Sequence, residues 1–146
     1  MVNIRFVTSE DKELFLSLSR EFYNSAAVLA PIKEEYHQNA FDELMRSRDY
    51  LCGFIIEYGG QTAGFGLLNI TYSHEAGGKT VWIEELYIRE KFRSKGIGGE
   101  FFKYVEKNYP AKRYRLEVEK ENERAVSLYK KLGYDFLSYD QMIKDE

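Results

Sequence analysis

Hydrophobic and polar side chains alternate at the start of the chain, where Val2, Ile4 and Phe6 are separated by polar residues. A period of two is typical of a strand with one buried face, so this segment is predicted to be a strand. The spacing of apolar residues then changes to four, with Leu14 and Leu18 as the first pair. This spacing aligns apolar side chains on one side of a helix and predicts an amphipathic helix directly after the strand.

Turn-forming residues divide the remainder of the chain. Gly59-Gly60 between two apolar runs is typical of a tight hairpin, whereas Pro110 and Gly133 are typical of residues that follow a helix. The predicted element order is therefore β-α-α-β-β-β-α-β-α-β. Later strands are expected over residues 51–58, 61–72, 79–89, 114–119 and 134–143, and later helices over residues 31–44, 96–108 and 121–132.

This order predicts an α/β protein of the mixed, α+β kind. Its central twisted sheet would combine antiparallel hairpins with βα units and would be flanked by helices. The chain has 146 residues, which is the usual size of one domain. No repeat, low-complexity tract or linker interrupts it, so residues 1–146 are interpreted as a single domain.

Composition narrows the classes of function. The net charge of −3 indicates no basic surface of the kind that binds nucleic acid or anionic membranes, and no apolar run reaches the length of a membrane span. Cys52 is the only cysteine, which excludes an intramolecular disulfide and favours a reducing, cytoplasmic location. His37 and His74 show no metal-ligand spacing, so no bound metal is expected.

A strand, a short loop and a glycine-rich helix start follow one another after the middle of the chain. Gly96, Gly98 and Gly99 lie in or near the first helical turn, where each glycine costs about 1 kcal/mol relative to alanine. Backbone N–H groups at a helix start point outward and attract anions, and Arg93 and Lys95 add positive charge. The pattern indicates a phosphate or pyrophosphate site, with simple packing of the helix start as the alternative.

Two motifs in the second half of the chain resemble those of the GNAT acetyltransferase superfamily. Residues 93–98 read R-S-K-G-I-G and match the family pattern R/Q-x-x-G-x-G/A. Residues 122–134 read N-E-R-A-V-S-L-Y-K-K-L-G-Y and match every fixed position of a second pattern, N-x-x-A-x-x-L-Y-x-x-x-G-F/Y. The resemblance covers the last two thirds of the chain by motif and the first third by element order.

The resemblance implies acetyl-CoA as co-substrate and a place for each part of it. Backbone groups of Leu86, Tyr87 and Ile88 would pair with the pantetheine arm as an added strand does. Asn122 would hydrogen-bond the pantetheine or an ordered water, with Ala125 in the same cofactor site. The pyrophosphate would be held by Arg93 and by backbone N–H groups of the loop and first helical turn, namely Ser94, Lys95, Gly96, Ile97, Gly98 and Gly99.

The resemblance also implies a bulge near Glu84 and Glu85 that would separate this strand from the strand over residues 114–119. An amine with a pKa near 10.4 is neutral in about one molecule per few thousand at pH 7, so a positioned base would contribute about 10²–10⁴-fold. Glu84 is the candidate base, because polyamine-acetylating members of the family carry a glutamate nine residues before the loop arginine. Glu85 is the second candidate, and without a bulge the two side chains would face opposite ways.

Tyr129 is the candidate general acid toward the CoA sulfur, by its match to the family tyrosine. The alternative for Tyr129 is a half-buried aromatic side chain that only packs. The alternative for Glu84 and Glu85 is that one or both are solvated carboxylates on a strand.

Trp82, Tyr72 and Tyr23 are candidates for the wall of an acceptor pocket, with core or interface packing as the alternative. Glu117 and Glu119 are candidates for an acidic cleft, although alternating surface carboxylates are the simpler interpretation.

The sequence thus predicts an N-acetyltransferase that moves the acetyl group of acetyl-CoA to an amine by direct attack in a ternary complex. The adjacent acids and the net negative charge favour a small cationic amine. The alternatives are a non-catalytic acyl-CoA sensor of the same fold, acetylation of a protein or peptide amine, and a phosphate-binding module of another class. A homodimer formed through the last strand is compatible with catalysis.

Overall fold

Five strands and four helices make up the fold in the computed structural model, which describes residues 1–146. The strands are β1 (Val2–Phe6), β2 (Leu51–Tyr58), β3 (Gln61–Ser73), β4 (Gly78–Ile88) and β5 (Arg113–Leu116). The helices are α1 (Lys12–Tyr23), α2 (Glu34–Arg46), α3 (Ile97–Asn108) and α4 (Glu123–Lys131), with single 3₁₀ turns at Ser9–Asp11 and Glu90–Phe92. All four predicted helices and the first five predicted strands are present.

The five strands form one sheet in the order β1-β2-β3-β4-β5. The first four are antiparallel to their neighbours, and β5 runs parallel to β4. Short turns join β2 to β3 and β3 to β4, and Gly59 and Gly60 form the first of them with positive φ angles of 60° and 79°. The connection from β1 to β2 contains α1 and α2. A parallel neighbour needs a crossover, and α3 supplies it between β4 and β5. The predicted mixed sheet is therefore confirmed.

Helices cover both faces of the sheet, so its middle strands are apolar on both sides. On one face α3 packs Phe101 and Val105 against Phe54 and other strand residues. On the other face α1 and α2 bury a second aromatic cluster, in which the ring of Phe15 lies 5.7 Å from that of Phe65. We call these the α3/α4 face and the α1/α2 face after the helices that cover them.

The prediction of a last strand over residues 134–143 is wrong. This segment has neither helix nor strand, and its one recorded backbone hydrogen bond to the rest of the chain runs from the Tyr134 N–H to the Tyr129 carbonyl, at 3.0 Å. A suitable side-chain pattern does not make a strand without a partner for the backbone. The fifth strand is also shorter than predicted, since the β5 ladder with β4 ends at Leu116.

Gly66 lets α3 approach the sheet, and this contact gives a stability test. A Cβ atom added at Gly66 would lie 2.3 Å from the fully buried ring of Phe101. We expect Gly66→Ala to lower the free energy of unfolding by about 1–3 kcal/mol, because the ring has no free space to enter. The midpoint of urea unfolding measures this change.

Gly99→Ala is the matched control for Gly66→Ala. A Cβ atom at Gly99 would meet nothing within 4 Å, and the residue lies inside α3. This variant should be neutral or up to about 1 kcal/mol more stable. Equal destabilisation by both substitutions would contradict the packing argument.

Candidate active site

One extra residue in β4 shapes the centre of the site. In the pairing of β3 with β4, Leu67 is opposite Glu85 and Leu68 is opposite Ile83, which leaves Glu84 without an opposite residue. This is a β-bulge, and it lies at the position that the sequence analysis expected. A bulge interrupts the alternation of side chains, so two successive residues share one face. Glu84 and Glu85 therefore both lie on the α1/α2 face, rather than on opposite faces.

The separation of β4 from β5 begins at the same point. The parallel ladder runs from Thr80 opposite Arg113 to Ile83 opposite Leu116 and goes no further. Beyond the bulge β4 continues to Ile88 with β3 on one side only. The outer backbone edge of residues 86–88 is therefore open along most of its length, as required for the predicted pantetheine contacts of Leu86, Tyr87 and Ile88.

Glu85 is the more enclosed of the two adjacent acids. The Tyr23 hydroxyl at the end of α1 donates a hydrogen bond of 2.5 Å to its carboxylate. Burial raises the pKa of Glu85 to about 7, and the neighbouring charge of Glu84 acts in the same direction, whereas the hydrogen bond from Tyr23 opposes them. Tyr23 in turn packs edge-on against the ring of His37, which is buried and hydrogen-bonded to Ser19. Glu85 is thus held between the sheet and α1.

Glu84 opens into a cavity of about 400 Å³. The Asn69 side chain donates a hydrogen bond to its carboxylate. Desolvation raises the pKa of Glu84, and the charge of Glu117 raises it further, while the Asn69 hydrogen bond lowers it. The other lining residues are Tyr50, Ile70, Thr71 and Trp82. This arrangement presents a carboxylate with a raised pKa at the mouth of the gap between β4 and β5.

The acids of this cleft lack cationic partners. No salt bridge of the chain includes Glu84, Glu85 or Glu117. Arg115 is nearby, but its guanidinium lies 4.2 Å from the centre of the Trp82 ring instead of pairing with one of these carboxylates. Sequence reasoning had named Tyr23, Trp82 and Glu117 as candidates here. It missed Asn69 and Tyr50, because only the register of β3 and the connection between α2 and β2 bring them to the cavity. Tyr72, a further candidate, is exposed outside it.

The glycine-rich loop presents backbone N–H groups that no helical carbonyl accepts. Ser94 and Gly96 have positive φ angles of 64° and 76°, and α3 begins at Ile97. The first backbone N–H of this region to bond into the helix is that of Glu100, to the Gly96 carbonyl at 3.1 Å, so earlier N–H groups lack intrahelical acceptors. A Cβ atom at Gly99 would meet nothing within 4 Å, so packing does not require a glycine at this position.

Positive side chains surround this loop. The Arg93 guanidinium donates to the Ile88 carbonyl at 2.9 Å and so lies between the end of β4 and the loop. The ammonium of Lys95 lies 5.9 Å from the centre of the Tyr58 ring. Arg124 of α4 donates to the Ser94 hydroxyl at 2.6 Å and ties the loop to the last helix. The sequence analysis missed Arg124, which lies between fixed positions of the second motif.

The second motif forms α4 and its cap. The Asn122 side chain accepts a hydrogen bond of 3.3 Å from the Ala125 N–H, which is a helix N-cap and leaves the amide NH₂ group for another partner. Tyr129 packs on the α3/α4 face, with its ring 5.7 Å from that of Phe102 and 6.2 Å from that of Tyr134. Its hydroxyl has no recorded hydrogen bond within the chain, and burial raises its pKa. Tyr129 and the two glutamates thus lie on opposite faces of the sheet.

Two further contacts fix the edge of the site. The Glu21 carboxylate on α1 accepts hydrogen bonds from the Tyr87 hydroxyl at 3.2 Å and from both Nε and Nη2 of Arg89. These bonds hold α1 against β4 just beyond the bulge.

No group of three His, Cys, Asp or Glu side chains is arranged to bind a metal, and none of the helices combines the length and apolar character that crossing a membrane requires.

Comparison with known proteins gives a consistent set of relatives. The model of the acetyltransferase (GNAT) family matches residues 13–134. A spermine/spermidine N(1)-acetyltransferase of Bacillus subtilis (strain 168) is 23% identical over 92% of this chain and 88% of its own. A thialysine N-epsilon-acetyltransferase of Mus musculus is 36% identical over 78 residues, and the match spans 51% of this chain but only 45% of that relative. The structure of AAC(6')-Iy in complex with a bisubstrate analog has a TM-score of 0.80 at 17% identity and covers 100% of this chain and 99% of its own.

The raised pKa of Glu85 makes stability depend on pH. Its carboxyl binds its proton up to about pH 7 in the folded chain but only to about pH 4.5 when exposed, so the folded state loses relative stability as the pH rises through this range. Relative to the unchanged chain, Glu85→Gln should gain up to about 3 kcal/mol of unfolding free energy between pH 4.5 and 7. Chemical denaturation at a series of pH values measures the difference.

Glu121→Gln controls for the loss of one negative charge, since Glu121 is exposed and its side chain makes no hydrogen bond or ion pair in the chain. Its difference from the unchanged chain should vary little over the same pH range. A Glu85→Gln difference that is flat with pH would show that the carboxyl is not held in a desolvated environment.

Proposed function

Because the chain belongs to the acetyltransferase (GNAT) family, we propose that it is an N-acetyltransferase that moves the acetyl group of acetyl-CoA to the amino group of a small cationic amine. The observation that carries this proposal is the bulge at Glu84. It coincides with the point where β4 and β5 separate, and it directs two carboxylates to the amine side of the resulting gap.

Acetyl-CoA would lie across the gap, with its charged end at the glycine-rich loop. Backbone N–H groups of the loop and first helical turn, together with Arg93 and Lys95, form a positive site of the right chemistry for a pyrophosphate. The open backbone edge of residues 86–88 would pair with the pantetheine amides. Asn122 would contribute its free amide NH₂ group from the cap of α4, next to Ala125.

Glu84 is assigned as the general base. Its carboxylate opens into the cavity, whereas that of Glu85 is taken up by Tyr23. The raised pKa brings its basicity closer to neutral pH, where a base transfers protons most effectively. Asn69 keeps the carboxylate oriented, and Glu85 remains the second candidate.

The reaction requires a neutral amine and a place for each proton. Glu84 takes a proton from the substrate ammonium, directly or through a water, and the amine nitrogen attacks the thioester carbonyl carbon. A backbone N–H near Leu86 would stabilise the oxyanion. The attacking nitrogen, which is positively charged after the attack, releases its second proton to solvent. The C–S bond then breaks, and the leaving thiolate takes the hydroxyl proton of Tyr129. Solvent restores the proton of Tyr129 and removes that of Glu84, which leaves the amide and CoA as products.

A cationic acceptor fits the amine side of the site. The carboxylates of Glu84 and Glu117, which have no cationic partner, face a cavity that also has the aromatic rings of Tyr50 and Trp82 in its wall. Such an environment binds ammonium groups through charge and through the faces of the rings. The names of the relatives from Bacillus subtilis and Mus musculus, a polyamine and a thialysine acetyltransferase, agree with this class of substrate.

Thiol release from acetyl-CoA tests the proposal. The unchanged chain should release CoA in the presence of a polyamine, an aminoglycoside or a lysine analogue. Glu84→Gln should lower kcat about 10²–10⁴-fold for its substrate, and Tyr129→Phe should lower kcat by at least tenfold, while both retain the affinity for CoA. Tyr72→Phe, at an exposed tyrosine, is the control and should have full activity.

Binding and turnover must be measured together, because they separate the alternatives. CoA binding without release on any amine would favour an acyl-CoA sensor, and release only with peptides would favour a protein or peptide amine. Absence of CoA binding would overturn the proposal.

Glu117 tests the assignment of the cavity as the amine site. We expect Glu117→Gln to raise KM for a cationic amine about tenfold, since a charge-assisted contact is lost, with a smaller change in kcat. Steady-state kinetics with Glu121→Gln as control measure the effect. If KM stays unchanged in a chain with normal turnover, the amine binds elsewhere.

A further inference from the structure

Arg115 is a cation without an acidic partner beside the proposed amine cavity. The register places Asn69, Trp82 and Arg115 opposite one another in β3, β4 and β5, so their side chains share the α1/α2 face of the sheet. The guanidinium of Arg115 lies over the Trp82 ring, and no salt bridge of the chain includes it. Trp82 itself is in the wall of the cavity that contains Glu84. The amine cavity thus has an unpaired positive charge at its border.

The carboxylates near Arg115 do not pair with it. Both oxygens of Glu75, in the turn between β3 and β4, already accept hydrogen bonds, from Arg113 at 3.0 Å and from the Tyr139 hydroxyl at 2.7 Å. Glu117, two residues after Arg115, faces the amine cavity without forming an ion pair. The guanidinium therefore keeps N–H groups for an anion that binds from outside the chain.

A second cavity, of about 380 Å³, adjoins the first at Glu117, which lines both. Arg115 is in its wall, whereas Glu119, the next acid along the chain, lines neither cavity. The other charged residues of this wall are Arg113, Lys130 and Asp135. Lys130 projects from α4, and its ammonium lies 5.5 Å from the centre of the Phe136 ring. Arg115 is the unpaired cation that lies against a wall residue of the amine cavity.

The spacing of strand residues sets the distance between these charges. Residues two apart in a strand are separated by about 7 Å, which applies to Trp82 and Glu84 in β4. Glu117 follows Arg115 by the same number of residues, just past the end of β5. An extended lysine-like amino acid separates its side-chain ammonium group from its carboxylate by a similar length. A molecule of this size can therefore contact the carboxylates of the cavity and Arg115 at the same time.

We propose that the acceptor is a diamino acid, an amino acid with a second amino group on its side chain, and that Arg115 binds its carboxylate. This inference rests on the proposed function, because the same site would transfer the acetyl group. The side-chain amine would lie at Glu84 and the α-ammonium group at Glu117. Such a molecule is still a small cationic amine, since it carries two ammonium groups and one carboxylate at neutral pH.

The chemistry of arginine favours a carboxylate over a further ammonium group at this place. A guanidinium that lies over a ring uses its face for that contact, and the N–H groups at its edge can form two parallel hydrogen bonds to a carboxylate. A diamine would bring an ammonium group toward the charge of Arg115 and gain no such bonds. Arg115 would therefore select between amines of equal length.

Acceptor pairs that differ only in the carboxylate test the proposal. Lysine and cadaverine form one pair, and ornithine and putrescine form a pair that is shorter by one methylene group. Thiol release from acetyl-CoA by the unchanged chain should have a kcat/KM about tenfold higher for the amino acid than for the diamine in at least one pair, because charge-assisted hydrogen bonds are gained. This comparison does not depend on any variant.

Arg115→Gln should reverse the preference. It should lower kcat/KM for the amino acid about tenfold, chiefly by raising KM, and should leave kcat/KM for the diamine unchanged or higher. Retained turnover of the diamine shows that the variant is folded. Lys112→Gln is the matched control, because Lys112 is an exposed cation directly before β5 that forms no ion pair. Its preference between the two acceptors should equal that of the unchanged chain.

The outcomes separate this inference from the proposed function. Diamines used as well as the amino acids by the unchanged chain would overturn the inference alone, and so would a preference for the amino acid that Arg115→Gln does not reduce. Release with none of the four acceptors, but with an aminoglycoside or a peptide, would also overturn it and leave an acetyltransferase. Absence of release with every amine would overturn the proposed function and the inference together.

Discussion

A single residue without a partner in the neighbouring strand determines the geometry of the site. Glu84 is extra in β4 relative to β3, and the sheet must bend to accommodate it. The bend ends the ladder to β5, exposes the backbone edge of residues 86–88, and directs Glu84 and Glu85 to the same face. A continuous ladder would have hydrogen-bonded that backbone edge and separated the two carboxylates, so neither a thioester nor an amine would have a place to bind.

The surrounding structure holds the bulge from three sides. Close packing at Gly66 presses α3 onto the sheet, and the Glu21 contacts with Tyr87 and Arg89 pin α1 to β4 immediately after the bulge. The hydrogen bond from Tyr23 to Glu85 adds a polar tie inside the cleft. Polar bonds of this kind are strong where water is excluded. The bond from Tyr23 favours the ionised form of Glu85, which burial disfavours.

Local sequence signals predicted the parts of this structure that depend on local interactions. The glycine pair after β2, Gly133 at the end of α4 and the family motifs located the hairpin, α4 and the loop, and the family assignment is confirmed. Features that depend on contacts between distant elements were missed. Asn69 reaches Glu84 through the register of β3, and Arg124 reaches Ser94 from another helix. The last strand failed as a prediction because its alternating pattern has no backbone partner within the chain.

The sheet divides the site into two halves that belong to different parts of the sequence. Helices α1 and α2 and strand β3 border the carboxylates, whereas α3, α4 and the glycine-rich loop lie with Tyr129. The two halves share only β4 and the gap beside it. Substitutions that enlarge, shrink or recharge the first half can therefore alter which acceptor is selected without disturbing how the nucleotide end of the co-substrate is held. Residues of the N-terminal half are therefore freer to change when the acceptor changes. Residues of the C-terminal half are more constrained, because they hold the co-substrate.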